Sequence, residues 1–110
     1  MEKIYFTITG TQHHFGKEFI EAAMEVKLVK EPDNEHDKEA IKVEMEGLGT
    51  IGYVANSPYT VKGESMSAGR LYDRIGDTAY GVVKYVLPQG ILCELNEKKK
   101  DVEENEYENI

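Results

Sequence analysis

Three histidines are the residues in this chain best suited to chemistry, and they fall in two short stretches. His13 and His14 lie in TQHHFGKEF, and His36 stands beside Asp37 in EPDNEHD. Imidazole and carboxylate ligate zinc and similar divalent ions, and loops at one end of a fold could bring them together. Neighbouring histidines at a strand end point to opposite faces, however, so only one of His13 and His14 could readily join such a site. Nucleophilic chemistry has less support. The serines of GESMSAG have no histidine close in sequence to serve as a base. The chain contains no phosphate-cradling Gly-rich loop ending in Lys-Ser/Thr, no H-E-x-x-H and no nucleophile elbow. Cys93 is the only cysteine, so it has no partner for an internal disulfide or a C-x-x-C site. Its ILCEL surroundings mark it as a small strand residue. The expectation is a chain with no catalytic residues, no metal and no cofactor, hence not an enzyme in its own right.

The elements that would carry these loops read as strands. Apolar and polar residues alternate over Ile4–Gly10, Met24–Val29, Ala40–Met45, Thr50–Val54, Thr78–Leu87 and Ile91–Leu95, the period-2 signature of half-buried strands. EPDNEHD separates the second run from the third, because proline fixes φ and Asp and Asn fold back on their own backbone, so those two strands should pair. PQG joins the last two as a hairpin. Between Ala55 and Gly76 the alternation is lost, with room for two helical turns near Ala68–Ile75. Short strands divided by turns predict a mostly β fold, a small closed or nearly closed barrel of about six strands with one or two short helices.

Composition sets the outer bounds. At 110 residues, 40% hydrophobic and 31% charged, the chain fits one globular domain. No apolar run approaches the ~20 residues of a membrane-spanning helix. MEKIYFTITG enters the first strand directly and lacks the shape of a signal peptide, which with the lone cysteine predicts a cytoplasmic protein with no membrane partner. Net charge is −8, and residues 96–110 supply −3 of it through three lysines against six acids. That leaves −5 for residues 1–95, so the body is acidic as well as the tail. The domain is expected to span 1–95, with 96–110 a disordered acidic tail that contributes little to folding.

One stretch is more specific than the rest. Glu31-Pro32-Asp33-Asn34-Glu35-His36-Asp37-Lys38-Glu39-Ala40-Ile41-Lys42-Val43, followed by Ile51-Gly52-Tyr53, resembles the HIRAN domain. That family's pattern runs from an acidic residue and Pro to Asn-x-aromatic-Asp, then Ala-Ile-x-Val, then Gly-aromatic-or-His after a glycine turn. ITGTQHH is similar to its first strand and the polar-aromatic run after it, and GVVKYV to its penultimate strand. The resemblance covers roughly residues 4–95 and is closest to short, free-standing bacterial members. It implies an OB-like barrel that binds nucleic acid, holding the 3′ end of single-stranded DNA in a repair or replication-restart setting. In large relatives the domain is fused to a helicase-like ATPase and a zinc-binding RING finger. Neither is present here, so neither activity carries over.

The resemblance also implies a site: Gln12, His13 and His14 after the first strand, Asn34, His36 and Asp37 in the loop, then Tyr53, Asn56 and Tyr85. The family aspartate accepts a hydrogen bond from the terminal hydroxyl, and a carboxylate there would repel a terminal phosphate. Gln12 and Asn56 replace basic residues, and His13 and His36 replace tyrosines. Imidazole keeps a π-face for stacking, but the charges that bind phosphate are gone, so binding should be weak. Asn34 and Asp37 could instead serve only to hold the turn, and Tyr53 and Tyr85 to build the barrel wall. The competing functional readings are a protein-interaction module whose acidic surface has lost DNA binding, and a metal-dependent enzyme using the histidine loops.

Overall fold

Alternation along each strand sends every second side chain inward, and the core is the sum of those positions. The computed structural model describes residues 3–14 and 16–97. Six strands form, β1 (Tyr5–Thr9), β2 (Glu25–Lys30), β3 (Ile41–Met45), β4 (Gly49–Val54), β5 (Thr78–Leu87) and β6 (Gly90–Leu95), with one short helix, α1 (Ala68–Tyr72), before β5. Phe6 and Ile8, Val26 and Leu28, Ile41 and Val43, and Ile91 and Cys93 are i, i+2 pairs, and all eight are buried. The strands close into one antiparallel barrel in the order β1-β4-β3-β2-β5-β6. Among the described residues closure leaves no long unpaired strand edge.

The expected strands are all present, β5 with the same bounds and the others displaced by a single residue at one end or both. The second and third pair as expected, Lys27–Lys30 against Ile41–Glu44. The helix is shorter than the two turns expected near Ala68–Ile75. Ser67 Oγ caps it by accepting from Arg70 N. Beyond Tyr72 the backbone is captured from outside: Lys30 Nζ donates to Ile75 O at 2.8 Å and lies 4.3 Å from the centroid of the Tyr72 ring. The stretch after β1 is not purely loop, since Thr11–His13 form a single 3-10 turn that packs against β4. Of the acidic tail expected from residue 96, positions 98–110 lie outside the described residues. Asn96 still donates its backbone N–H to Tyr80 O.

Two register shifts break simple alternation. One lies between Val43 and Glu44, where Val43 faces Gly52 but Glu44 faces Thr50, so Ile51 is the extra residue on β4. Consecutive Ile51 and Gly52 are both buried in consequence. The other lies between Val83 and Tyr85, with Lys84 as the extra residue on β5. Continuous alternation from Val83 would point Tyr85 inward. The shift turns it outward beside Lys84, opposite half-buried Leu92, and it is 63% exposed.

The irregular stretch between β4 and α1 is fixed to the barrel by its backbone. Ala55 N donates to Thr7 O, Met66 N to Tyr5 O and Ala68 N to Ala55 O, at 2.7–2.9 Å. Buried Ser65 and Thr7 share a hydroxyl hydrogen bond of 2.8 Å.

Candidate nucleic-acid interface

β2 ends, β3 begins and β4 ends at the same end of the barrel, so the 31–40 loop and the residues after Val54 converge there. The loop is organised by Asn34. Its Oδ1 accepts from the backbone N–H groups of His36 and Asp37 at 2.9 and 3.0 Å. Its Nδ2 donates to Glu31 Oε1 at 3.1 Å, and its own N–H donates to Glu31 O. Pro32 starts the turn and Asn34 closes it, the side chain standing in for backbone acceptors. His36 is thereby held with its side chain exposed, and Asp37 half-buried beside it.

The Asp37 carboxylate is oriented from two sides. Oδ1 accepts from Glu39 N at 2.9 Å, and Oδ2 from Asn56 Nδ2 at 2.8 Å. Asn56 is fixed in turn, because its Oδ1 accepts from Gly69 N at 2.9 Å, linking the loop to α1. A carboxylate has about four lone-pair directions. Among the described residues two are used, and the rest remain to accept a further donor.

Glu31 joins this group to the barrel wall. Tyr53 OH donates to Glu31 Oε1 at 2.8 Å, and Lys42 Nζ lies 4.0 Å from Oε2 and 3.2 Å from Glu44 Oε2. Partial burial first, and then the bond and charge of Glu31, push the Tyr53 phenol above its ordinary range. The His14 ring sits 6.4 Å from that of Tyr53, tilted by 42°, within the spacing of interacting aromatic pairs. Tyr53 lies outside the barrel because Gly52 before it is buried against β1. A Cβ on Gly52 would stand 2.6 Å from Thr9 O and 2.9 Å from Ile8 Cγ2.

Contacts therefore link His14, Tyr53, Asn34, Asp37 and Asn56 in one continuous group, with His36 on its rim. Gln12 and His13 lie in the 3-10 turn that packs on β4, and Gln12 is exposed. Tyr85 is placed apart. Among the described residues no hydrogen bond or ring contact joins it to the group, and its cross-strand neighbour is Leu92. Sequence reasoning left out Glu31 as a site residue, although it accepts from both Tyr53 and Asn34. The turn spacing Glu31-Pro32-x-Asn34 was the signal available for it. Among the described residues, no three of His, Cys, Asp and Glu are grouped so as to hold a metal ion, and no helix is long and apolar enough to cross a membrane.

The group is acidic. Glu31, Asp33, Glu35, Asp37 and Glu39 occupy alternate positions through the loop, against Lys38 and Lys42. It suits a ligand group that donates hydrogen bonds and carries no negative charge.

Comparison with known proteins gives a consistent placement. No curated protein matches the chain. A crystal structure of a protein from Lactobacillus plantarum, determined by the Northeast Structural Genomics Consortium, is similar in fold. The TM-score is 0.53 at 24% identity, covering 87% of this chain and 98% of that one. The family model described as HIRAN domain matches residues 1–98, the whole of the barrel and its loops, and the chain belongs to the HIRAN domain family.

Proposed function

We propose that this chain recognises the 3′-hydroxyl end of single-stranded DNA at the group around Asp37. HIRAN domains are in general single-stranded nucleic-acid-binding modules, and a HIRAN domain is a binding rather than a catalytic domain. The observation that carries the finer reading is the Asp37 carboxylate, oriented by Glu39 N and Asn56 Nδ2 with acceptor capacity left over. A strand ending in a hydroxyl offers a donor to that carboxylate, whereas one ending in a phosphate brings two like charges together. His36 and the His14–Tyr53 pair offer ring faces for the terminal bases. Recognition of a strand end fits a repair or replication-restart role, and the acidic surroundings keep binding weak.

The test is a fluorescence-anisotropy titration at low salt with short single strands ending in 3′-hydroxyl or 3′-phosphate. A hydrogen bond to a charged group is worth about 1.5–3 kcal/mol. The hydroxyl should therefore be preferred by roughly tenfold or more, since about 1.4 kcal/mol is tenfold. Asp37→Ala should bring that ratio close to one while the variant still melts cooperatively. Equal affinity of the wild-type chain for both ends would remove the proposal.

A further inference from the structure

We infer that the groove leading away from Asn56 is a second nucleic-acid site, one that takes the phosphodiester backbone on the 5′ side of the bound end; this rests on the strand-end reading above. Two adjoining hollows of about 730 and 550 Å³ form it, one beginning at Asn56 and the other reaching Lys3 and Tyr5. They share Arg70, Glu64, Ser65 and Gly63, so they run on as one trough.

The charges along this trough are unlike those of the rest of the molecule. Lys3, Lys62 and Arg70 line it against the single carboxylate of Glu64, in a chain of net charge −8. Elsewhere four of the seven described cationic heads are occupied. Lys17 bonds to the carbonyls of Leu87 and Pro88, Lys30 to Ile75 O, Lys42 to Glu44, and Lys84 to Glu94. No side-chain hydrogen bond or ion pair to a described residue occupies Lys3, Lys62 or Arg70. Lys27, Lys38 and Arg74 share that condition but no common groove, and Lys27 lines a hollow with Glu25, Glu44 and Glu46.

The trough is also held in shape. The Thr7–Ser65 hydroxyl bond and the Met66–Tyr5 backbone bond fix its floor to β1. At the Asn56 end, Pro58 lines it and the next residue, Tyr59, is 91% exposed. Tyr59 N donates to Ser57 Oγ, and the carbonyl of Ser57 accepts from Thr60 N and Val61 N, so the ring is presented on a bonded turn. An exposed ring beside a cationic trough is the combination that binds single strands by stacking and phosphate contact. At the far end the trough includes Leu92, whose cross-strand neighbour is exposed Tyr85.

The order of charges fixes a polarity. A strand with a free 3′-hydroxyl has no phosphate at its last position and one at every position before it. Carboxylates at the Asp37 end followed by cations in the trough match that order, and a strand laid the other way and ending in a 5′-phosphate would set that phosphate against Asp37 and Glu31.

The experiment compares the full chain with Arg70→Ala, Lys62→Ala and the double variant on 3′-hydroxyl oligothymidylates of two and eight nucleotides, over a salt series. The eight-mer should bind wild type more tightly than the two-mer. The double variant should lose that gain, and its log–log salt slope should be shallower by about 1.4, at about 0.7 per single-strand phosphate contact. The two-mer should be affected less than twofold, Arg70→Lys should restore the slope, and Tyr59→Ala should weaken the eight-mer by about tenfold. An eight-mer bound by the double variant with unchanged affinity and slope overturns the trough and leaves the end site standing. If wild type binds neither oligonucleotide, the end site fails and the trough with it.

Discussion

Asn34 shows how a residue can be legible in sequence while its task is not. Its place after Pro32 marks a turn, and the family pattern marks a site, but only the folded loop shows one side chain serving both. Its amide holds the backbone of His36 and Asp37 and ties them to Glu31. It is a positioning residue, with Asp37 and His36 the groups presented. Asn34→Ala removes the acceptor of two backbone N–H groups, at about 1 kcal/mol each where water only partly replaces it. The expected outcome is a melting midpoint several degrees lower together with a smaller 3′-hydroxyl to 3′-phosphate ratio, read by thermal melting and anisotropy. A lower midpoint with the ratio intact would leave Asn34 as scaffold alone. Cys93 carries a residue-scale prediction of another kind. Burial pushes its thiol up from 9.0 to about 12, because the thiolate would sit inside the barrel core. The native state thus holds that proton more tightly than the unfolded chain does. The resulting stability is fully present below pH 9 and is lost as pH rises from about 9 toward 12. Denaturant unfolding across that range should show a decline that Cys93→Ala makes shallower, and native Cys93 should react with thiol reagents only as fast as the barrel opens.

At the scale of elements, alternation located all six strands because each buries one face, and a slip of one residue would turn that face to water. The same rule could not locate the two bulges. Counting by twos assumes an unbroken ladder, and nothing in GTIGYV or GVVKYV announces an extra residue. Tyr85 is the instance that matters, since its outward aim depends on Lys84 being that extra residue. The stretch 55–67 was illegible for a different reason. Its order comes from backbone bonds that tie Ala55 to Thr7 and Ala68, and Met66 to Tyr5, partners distant in sequence, and no local pattern encodes them. Gly52 was visible as part of the family motif, but its physical role lies in how closely β4 approaches β1. Because the atoms a Cβ would meet include the carbonyl oxygen of Thr9, relief requires the two strands to part. Gly52→Ala should destabilise the domain by about 1–3 kcal/mol, the usual range for overpacking. Since Tyr53 and the 3-10 turn ride on the same pair of strands, oligonucleotide affinity should fall too. Unchanged unfolding in urea would show that the approach is more compliant than its geometry implies.

At the scale of the whole molecule the question is how an acidic protein holds a polyanion. Net charge argues for weak binding, but it averages over a surface on which charges of opposite sign are separated. Five acids occupy the 31–39 loop, and three cations without a described side-chain partner share the trough beyond Asn56. That separation makes salt dependence the decisive measurement. Three cations in contact with phosphates at about 0.7 each give a log–log slope near −2 for a single strand, far below that of proteins making six to ten phosphate contacts. Gln12 lies in the 3-10 turn against β4, where the family resemblance places a basic residue. Gln12→Arg should therefore add a contact, tightening binding at low salt and steepening the slope by about 0.7. The parallel change at Asn56 should behave differently. A lysine there stands beside Asp37, and an ion pair between them would occupy the carboxylate proposed to take the terminal hydroxyl. Asn56→Lys should thus steepen the salt slope while eroding the preference for hydroxyl over phosphate, whereas Gln12→Arg keeps that preference. Titrations of both variants against both strand ends separate charge gained from selectivity lost. If Gln12→Arg leaves affinity and slope unchanged in a folded protein, the strand does not pass the 3-10 turn, and the acidic surface is better read as one that meets a protein partner.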